Sequence, residues 1–106
     1  MTAMNMTAKQ FETFAAEGKT VLVDYWAPWC GYCRRIGPAY EKVAESWGEE
    51  VHVVKINIDD EGALARREQI EVIPTLVLYK NGKALDSIVA PESKAAIEEF
   101  LRKSLG

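Results

Sequence analysis

Two cysteines, Cys30 and Cys33, are the residues whose type and spacing most directly suggest chemistry. They are the only cysteines among 106 residues, and two residues separate them. An apolar run over residues 21–26 precedes them, and a helical pattern follows from about residue 34 to residue 47. Unpaired N–H groups and the helix dipole at the start of such a helix stabilise a thiolate. The pair therefore predicts thiol–disulfide exchange, in which one cysteine attacks and the other resolves the mixed disulfide.

Two other uses of the cysteine pair are open. A zinc site needs four ligands, and the chain adds only one histidine, His52, to the two cysteines. A purely structural disulfide would close a very short loop and would remove little entropy from the unfolded chain. A C-x-x-C pair beside a strand–helix–strand pattern is a signature of redox activity, which we therefore favour.

Local patterns predict four helices and four strands around the cysteines. A capping box at Thr7 and Gln10 begins the first helix, which ends at Gly18. Asn81 and Gly82 predict a hairpin turn, and Ser93 can cap the last helix. The other predicted elements are strands over residues 21–26, 51–58, 76–79 and 83–89 and helices over residues 34–47 and 62–69.

The order of these elements predicts an α/β fold. The strand–helix–strand unit over residues 21–58 is expected to be parallel and right-handed, and the hairpin adds an antiparallel strand. A central mixed sheet flanked by helices on both faces follows. Residues 1–106 are expected to form one domain. The cysteine pair would then lie at the carboxyl end of a central strand, where open α/β sheets usually carry their sites.

The composition narrows the classes of function. Hydrophobic residues make up 48% and charged residues 27%, as in ordinary globular proteins. The net charge of −3 and the lack of a basic run predict neither a nucleic-acid nor a membrane partner, and the small size favours a monomer. We expect no metal and no cofactor, since the chain is short and has no G-x-G-x-x-G motif. The N-terminal residues lack a signal-peptide pattern, so we expect a cytoplasmic location, where thiols stay reduced.

Asp24 and Lys55 are charged residues inside apolar runs. Because burial of a carboxylate is costly, Asp24 is expected to stay protonated more readily than a surface aspartate, unless its side chain faces solvent. A buried acid near the resolving cysteine can accept its proton during attack on the mixed disulfide. Lys55 can pair with Asp24 and moderate its pKa, or it is simply a lysine at a strand edge.

Six short motifs stand in the order and at the spacing of a known family. They are Val23-Asp24-Tyr25-Trp26-Ala27, Trp29-Cys30-Gly31-Tyr32-Cys33, Pro38, Lys55, Ile73-Pro74-Thr75 and Lys80-Asn81-Gly82-Lys83. Through them the chain resembles the thioredoxin family over essentially its whole length. The resemblance implies a thioredoxin fold and the reduction of disulfides in client proteins, with a thioredoxin reductase-type electron donor as a second partner. The alternatives are a disulfide oxidase or isomerase and a client-binding module without turnover.

The resemblance also implies roles for single residues. Cys30 would be the exposed attacking thiol, and Cys33 the buried resolving thiol. The peptide bond before Pro74 would be cis and lie against the disulfide, or else Pro74 is an ordinary trans-proline at the start of an edge strand. The backbone of Ile73 and Thr75 would be free to pair with an extended client. The other expected client contacts are Trp29, Gly31, Tyr32, Val89 and Ala90.

Two positions depart from the family pattern. Tyr32 stands where the family usually has proline, and Ala90, followed by Pro91, stands where it usually has glycine. Tyr32 restores a backbone N–H in the first helical turn and adds a hydroxyl. More donors near the thiolate stabilise the reduced form, so we expect a stronger oxidant than a proline would give. Ala90 bears on how closely a client backbone can approach.

Overall fold

The structure, a computed structural model, describes residues 2–106. Within this range the chain forms one five-stranded sheet and four helices. In chain order the elements are β1 (Met4–Asn5), α1 (Ala8–Ala16), β2 (Val21–Trp26), α2 (Gly31–Trp47), β3 (His52–Asn57), α3 (Gly62–Arg67), β4 (Thr75–Lys80), β5 (Lys83–Val89) and α4 (Lys94–Leu105).

The sheet is mixed, and β2 is its central strand. The strand order is β1-β3-β2-β4-β5. β1 and β2 both run parallel to β3, whereas β4 is antiparallel to β2 and β5 is antiparallel to β4. The predicted α/β class and the predicted mixed sheet are confirmed. The carboxyl end of β2 leads directly into the loop that carries the cysteines.

Two apolar clusters cover the two faces of the sheet. Val21, Val23 and Tyr25 of β2 pack in one cluster with residues of α1 and α3. Leu22 packs in the other cluster with residues of α2 and α4. Side chains alternate between the faces of a strand, so each face of β2 is buried under one helical layer. Among residues 2–106, none of the helices combines the length and the hydrophobicity that a membrane span requires.

Local signals for element ends are confirmed by hydrogen bonds. The Thr7 hydroxyl accepts from the Gln10 backbone N–H at 3.1 Å, and the Gln10 side chain accepts from the Thr7 N–H at 2.9 Å. Ser93 caps α4 through the N–H of Ala96 at 3.1 Å. Asn81 and Gly82 both have positive φ, 54° and 78°, as a tight hairpin turn requires.

Two elements differ clearly from the predicted ones, whereas β3, α3 and β4 differ from them by at most two residues at either end. β1 was not predicted, because its two exposed residues show no apolar pattern and it forms only by pairing with Val54 and Lys55 of β3. α2 begins at Gly31, three residues before the predicted start at Arg34. The sequence Gly31-Tyr32 is a weak helix former, and the turn depends on the cap at Cys30.

Candidate active site

Cys30 and Cys33 lie at the N-terminus of α2. Cys30 is the capping residue, and its sulfur accepts a hydrogen bond from the backbone N–H of Cys33 at 3.2 Å. A disulfide joins the two residues, whose Cα atoms are 5.3 Å apart. The N–H groups of this first turn have no acceptor within the helix. A thiolate formed on Cys30 by reduction would therefore be stabilised by these donors and by the helix dipole.

The two cysteines differ less in accessibility than the resemblance implied. The exposed fraction is 9% for Cys30 and 5% for Cys33. Trp26, Tyr32 and Ile73 pack against the pair and cover it. The expected exposure of Cys30 is thus not observed in this disulfide form. The asymmetry between the cysteines lies instead in their positions, since one caps the helix and the other is inside it.

The segment that contains Ile73 and Pro74 lies against the disulfide. The peptide bond between these residues is cis, and the carbonyl oxygen of Ile73 is 4.0 Å from the Cys30 sulfur. Thr75 begins β4, and its hydroxyl donates to the Val72 carbonyl at 2.6 Å. The backbone N–H of Ile73 donates to no residue in the described part of the chain. The backbone of Ile73 is therefore available to an extended segment from outside. The expectation that the Thr75 backbone is free as well is wrong, because Thr75 pairs with Tyr25 of β2 and with Val89 of β5.

Asp24 is buried in the middle of β2, with 1% of its surface exposed. It alternates with Val23 and Tyr25, so it points to the sheet face that α2 covers, and its charge acts on Tyr40 of α2. No residue in the range 2–106 hydrogen-bonds its Oδ1 atom. Burial raises the pKa of Asp24 from 3.8 to about 7, against the opposing effect of Lys55. The alternative of a solvent-facing aspartate is wrong, and the carboxyl group can exchange a proton near neutral pH.

Lys55 lies beside Asp24 in the parallel pairing of β2 and β3. Its ammonium is 4.4 Å from the centre of the Trp26 ring. Among the described residues it forms no ion pair with Asp24 within 4.0 Å. Lys55 therefore lowers the pKa of Asp24 through its charge at longer range and not through a direct contact.

Three of the residues expected to contact clients are exposed, namely Trp29, Gly31 and Val89. Trp29 is 67% exposed, and its indole N–H lies 3.1 Å from both carboxylate oxygens of Asp59. Val89 is exposed at the end of β5, where it pairs with Thr75. The next residue, Ala90, has a φ of +46° and donates its N–H to the Pro74 carbonyl at 2.8 Å. Gly31 is exposed, and a Cβ atom there would meet nothing within 4 Å.

The hydroxyl of Tyr32 has a different partner from the one expected, which was the thiolate. The hydroxyl donates to the backbone carbonyl of Pro91 at 3.0 Å, so it is not a donor to the sulfurs. Pro91 and Asp59 are site residues that the sequence reasoning missed. The signal for Asp59 is its place after β3, because the carboxyl ends of parallel strands meet at one sheet edge. Pro91 offered no signal beyond its position next to Ala90.

The zinc alternative fails on topology. His52 pairs with Val21 at the start of the parallel strands β2 and β3, whereas the cysteines follow the opposite end of β2. The histidine ring packs instead against Phe14, with ring centroids 4.9 Å apart. In residues 2–106 no group of three or more histidine, cysteine, aspartate or glutamate side chains is placed to hold a metal ion.

A disulfide at a helix N-terminus, beside an open backbone segment and after a strand that carries a buried acid, defines a thiol–disulfide exchange protein. The family model for Thioredoxin matches residues 2–103. The chain is 42% identical over 83 residues to the thioredoxin of Porphyra purpurea, which covers 78% of each chain. It is 34% identical over 105 residues to the thioredoxin of Bacillus subtilis, which covers 99% of this chain and 100% of that one.

Thioredoxin 1 of Synechococcus elongatus is 40% identical to the chain over 85 residues. This alignment covers 80% of this chain and 79% of that one. The chain belongs to the thioredoxin family. Together with the cysteine pair, this membership makes it a thiol–disulfide oxidoreductase with protein-disulfide reductase activity.

Proposed function

We propose that the protein is a dithiol electron carrier that reduces disulfides of client proteins and is itself re-reduced by a separate thioredoxin reductase-type protein. One observation carries this proposal: the Cys30–Cys33 disulfide caps α2, and the buried acid Asp24 lies in the strand that leads to it, on the face that α2 covers. Such an arrangement supplies both a stabilised thiolate and a group that can take a proton near neutral pH.

The reaction consists of two successive thiol–disulfide exchanges. In the reduced protein the Cys30 thiolate attacks one client sulfur, the client S–S bond breaks, and one client sulfur leaves as a thiolate. Cys33 then gives its proton to Asp24 and attacks the Cys30 sulfur, which releases the second client sulfur. The client gains two electrons, and its two thiolates become thiols by taking one proton from Asp24 and one from solvent. The protein ends as the Cys30–Cys33 disulfide. Lys55 keeps the pKa of Asp24 close to neutral pH by opposing the effect of burial.

The client binds as an extended segment along the residues 73–75. The unpaired N–H of Ile73 and its carbonyl beside the Cys30 sulfur support pairing of this backbone with a client strand. The exposed side chains of Trp29 and Val89 add apolar contacts for partly unfolded clients. Gly31, Tyr32, Pro74, Thr75 and Ala90 complete the contact surface.

The chain works as a single domain and as a monomer, in the cytoplasm. A carrier of this kind has to be returned to its dithiol form, and a compartment that keeps thiols reduced favours that step. Gel filtration of the purified protein would test whether it is a monomer.

The reduction of insulin, coupled to a heterologous thioredoxin reductase, tests the proposed function. We expect the protein to turn over and to precipitate insulin B chain, and we expect variants that lack either cysteine to lose turnover. Cys33→Ser should trap a client on Cys30 as a stable mixed disulfide. Trapping on Cys33 in Cys30→Ser instead would reverse the two roles, and no turnover by the unmodified dithiol protein would refute the proposed function.

The role of Asp24 is tested by Asp24→Asn, which keeps the shape of the side chain but cannot accept the proton. We expect kcat for insulin reduction to fall by about 10-fold to 100-fold at pH 7, with KM little changed, because proton transfer contributes to the resolving step and not to client binding. Equal kcat values for the variant and the parent would contradict this role.

A further inference from the structure

A hydrogen bond joins Tyr32, one of the two positions that depart from the family pattern, to Pro91, the residue that follows the other, Ala90. The hydroxyl of Tyr32 donates to the carbonyl oxygen of Pro91 at 3.0 Å, although 59 residues separate them. Tyr32 is the second residue of α2, and Pro91 is buried between β5 and α4. The half-buried tyrosine side chain packs against the cluster formed by Ala27, Cys30 and Cys33. One side chain thus connects the redox helix to the loop before α4.

This loop has a backbone conformation that needs support. Ala90 has a φ of +46°, in the left-handed region, which is unfavourable for a residue with a Cβ atom. Two hydrogen bonds hold the loop in place: the Ala90 N–H donates to the Pro74 carbonyl at 2.8 Å, and the Tyr32 hydroxyl donates to Pro91. The first bond ties the loop to the client-binding backbone, and the second ties it to the redox helix.

We propose that the Tyr32 hydroxyl is a positioning group that holds the Ala90–Pro91 loop in place for protein clients. This inference rests on the proposed function. The loop continues from Val89 and is bonded to Pro74, so an extended client that lies along residues 73–75 passes beside it. A loop that is already ordered spares the client the entropy of ordering it on binding. A small disulfide that reaches only the sulfurs does not touch the loop, so an ordered loop does not improve its binding.

Tyr32→Phe isolates the hydroxyl. The variant keeps the aromatic ring against the cysteines and keeps the backbone N–H in the first turn of α2, and it removes only the bond to Pro91. The hydroxyl proton points to the Pro91 carbonyl and not to the sulfurs. The reduction potential and the thiolate pKa should therefore be the same in parent and variant.

The experiment compares two substrates, insulin and the small aromatic disulfide 5,5′-dithiobis(2-nitrobenzoic acid). For Tyr32→Phe we expect KM for insulin to rise about threefold to tenfold, as for the loss of one hydrogen bond, with kcat unchanged. The rate with the small disulfide should stay the same. Exchange of the Ala90 amide hydrogen should become faster by a similar factor, because that N–H is protected only while the loop is closed.

Tyr79→Phe is the matched control. It also removes a buried hydroxyl, but on the sheet face covered by α1 and α3, so it should lower stability and leave KM for insulin unchanged. An unchanged KM in Tyr32→Phe, or equal losses with both substrates, would overturn the positioning role. A parent protein with two reactive thiols that fails to reduce insulin would instead overturn the proposed function, so the two failures are distinct.

Discussion

At the scale of single residues, the burial of Asp24 dominates the chemistry of the site. A carboxyl group in the central strand of a sheet, with one oxygen lacking any hydrogen bond from residues 2–106, is stabilised in its neutral form. The resulting pKa of about 7 lets Asp24 take and return a proton under ordinary conditions. The same property makes the folded state sensitive to pH.

We expect Asp24 to lower stability as the pH rises. Its pKa is about 7 in the folded protein and near 3.8 when it is solvated, so the folded state holds a proton that the unfolded state has lost between these values. The free energy of unfolding should therefore fall from pH 4 to pH 7 by up to about 4 kcal/mol and then level off.

The measurement is urea unfolding of the disulfide form of the parent and of Asp24→Asn between pH 3 and pH 8. The asparagine variant should gain stability relative to the parent as the pH rises. A difference between the two proteins that stays constant over this range would show that Asp24 titrates normally.

At the scale of elements, the first turn of α2 sets the stability of the thiolate. The N–H of Cys33 already donates to the Cys30 sulfur, and the N–H of Tyr32 adds a further dipole at this end of the helix. Proline at position 32 would fit the first turn but would remove that N–H. The tyrosine therefore favours the reduced form through its backbone.

We expect Tyr32→Pro to lower the reduction potential by about 20 mV, which corresponds to the loss of about 1 kcal/mol of stabilisation of the reduced form. Equilibration with glutathione and quantification of the oxidised fraction would measure it. Tyr32→Phe, which keeps the N–H, is the control and should match the parent. An unchanged or higher potential in Tyr32→Pro would count against the role of the backbone donor.

At the scale of the whole molecule, a chain of polar side chains links the sheet to the layer formed by α1 and α3. The hydroxyls of Tyr25 in β2 and Tyr79 in β4 are 2.7 Å apart, and Tyr79 donates to Glu68, just after α3, at 2.7 Å. Arg67 pairs with both Glu68 and Glu12 of α1. Burial raises the pKa of both tyrosines, so they stay protonated and keep donating.

We expect Tyr79→Phe to lower the free energy of unfolding by about 2 kcal/mol, because it leaves the buried Tyr25 hydroxyl without its partner. Urea unfolding at pH 7 would measure the change. Glu68→Gln, which keeps an acceptor for Tyr79, should lower the free energy of unfolding by less. Equal stability of Tyr79→Phe and the parent would mean that water can replace Tyr79 as the hydrogen-bond partner of Tyr25.

Much of the fold was predictable because its signals are local. The capping residues Thr7 and Ser93, the Asn81-Gly82 turn and the apolar run of β2 each specify an element through neighbours in sequence. β1 was not predictable in this way, since its two residues become a strand only by pairing with β3, about 50 positions away.

The residues alone predict that two cysteines stand at the start of a helix, that a carboxylate precedes them in an apolar strand, and that a dithiol chemistry follows. Packing adds that Cys30 is buried, that Lys55 lies over Trp26 instead of pairing with Asp24, and that the Tyr32 hydroxyl reaches Pro91. These two sets of features differ because of distance along the chain. Accessibility, pKa and long-range hydrogen bonds depend on groups that packing brings together, and no local pattern encodes which of them will meet.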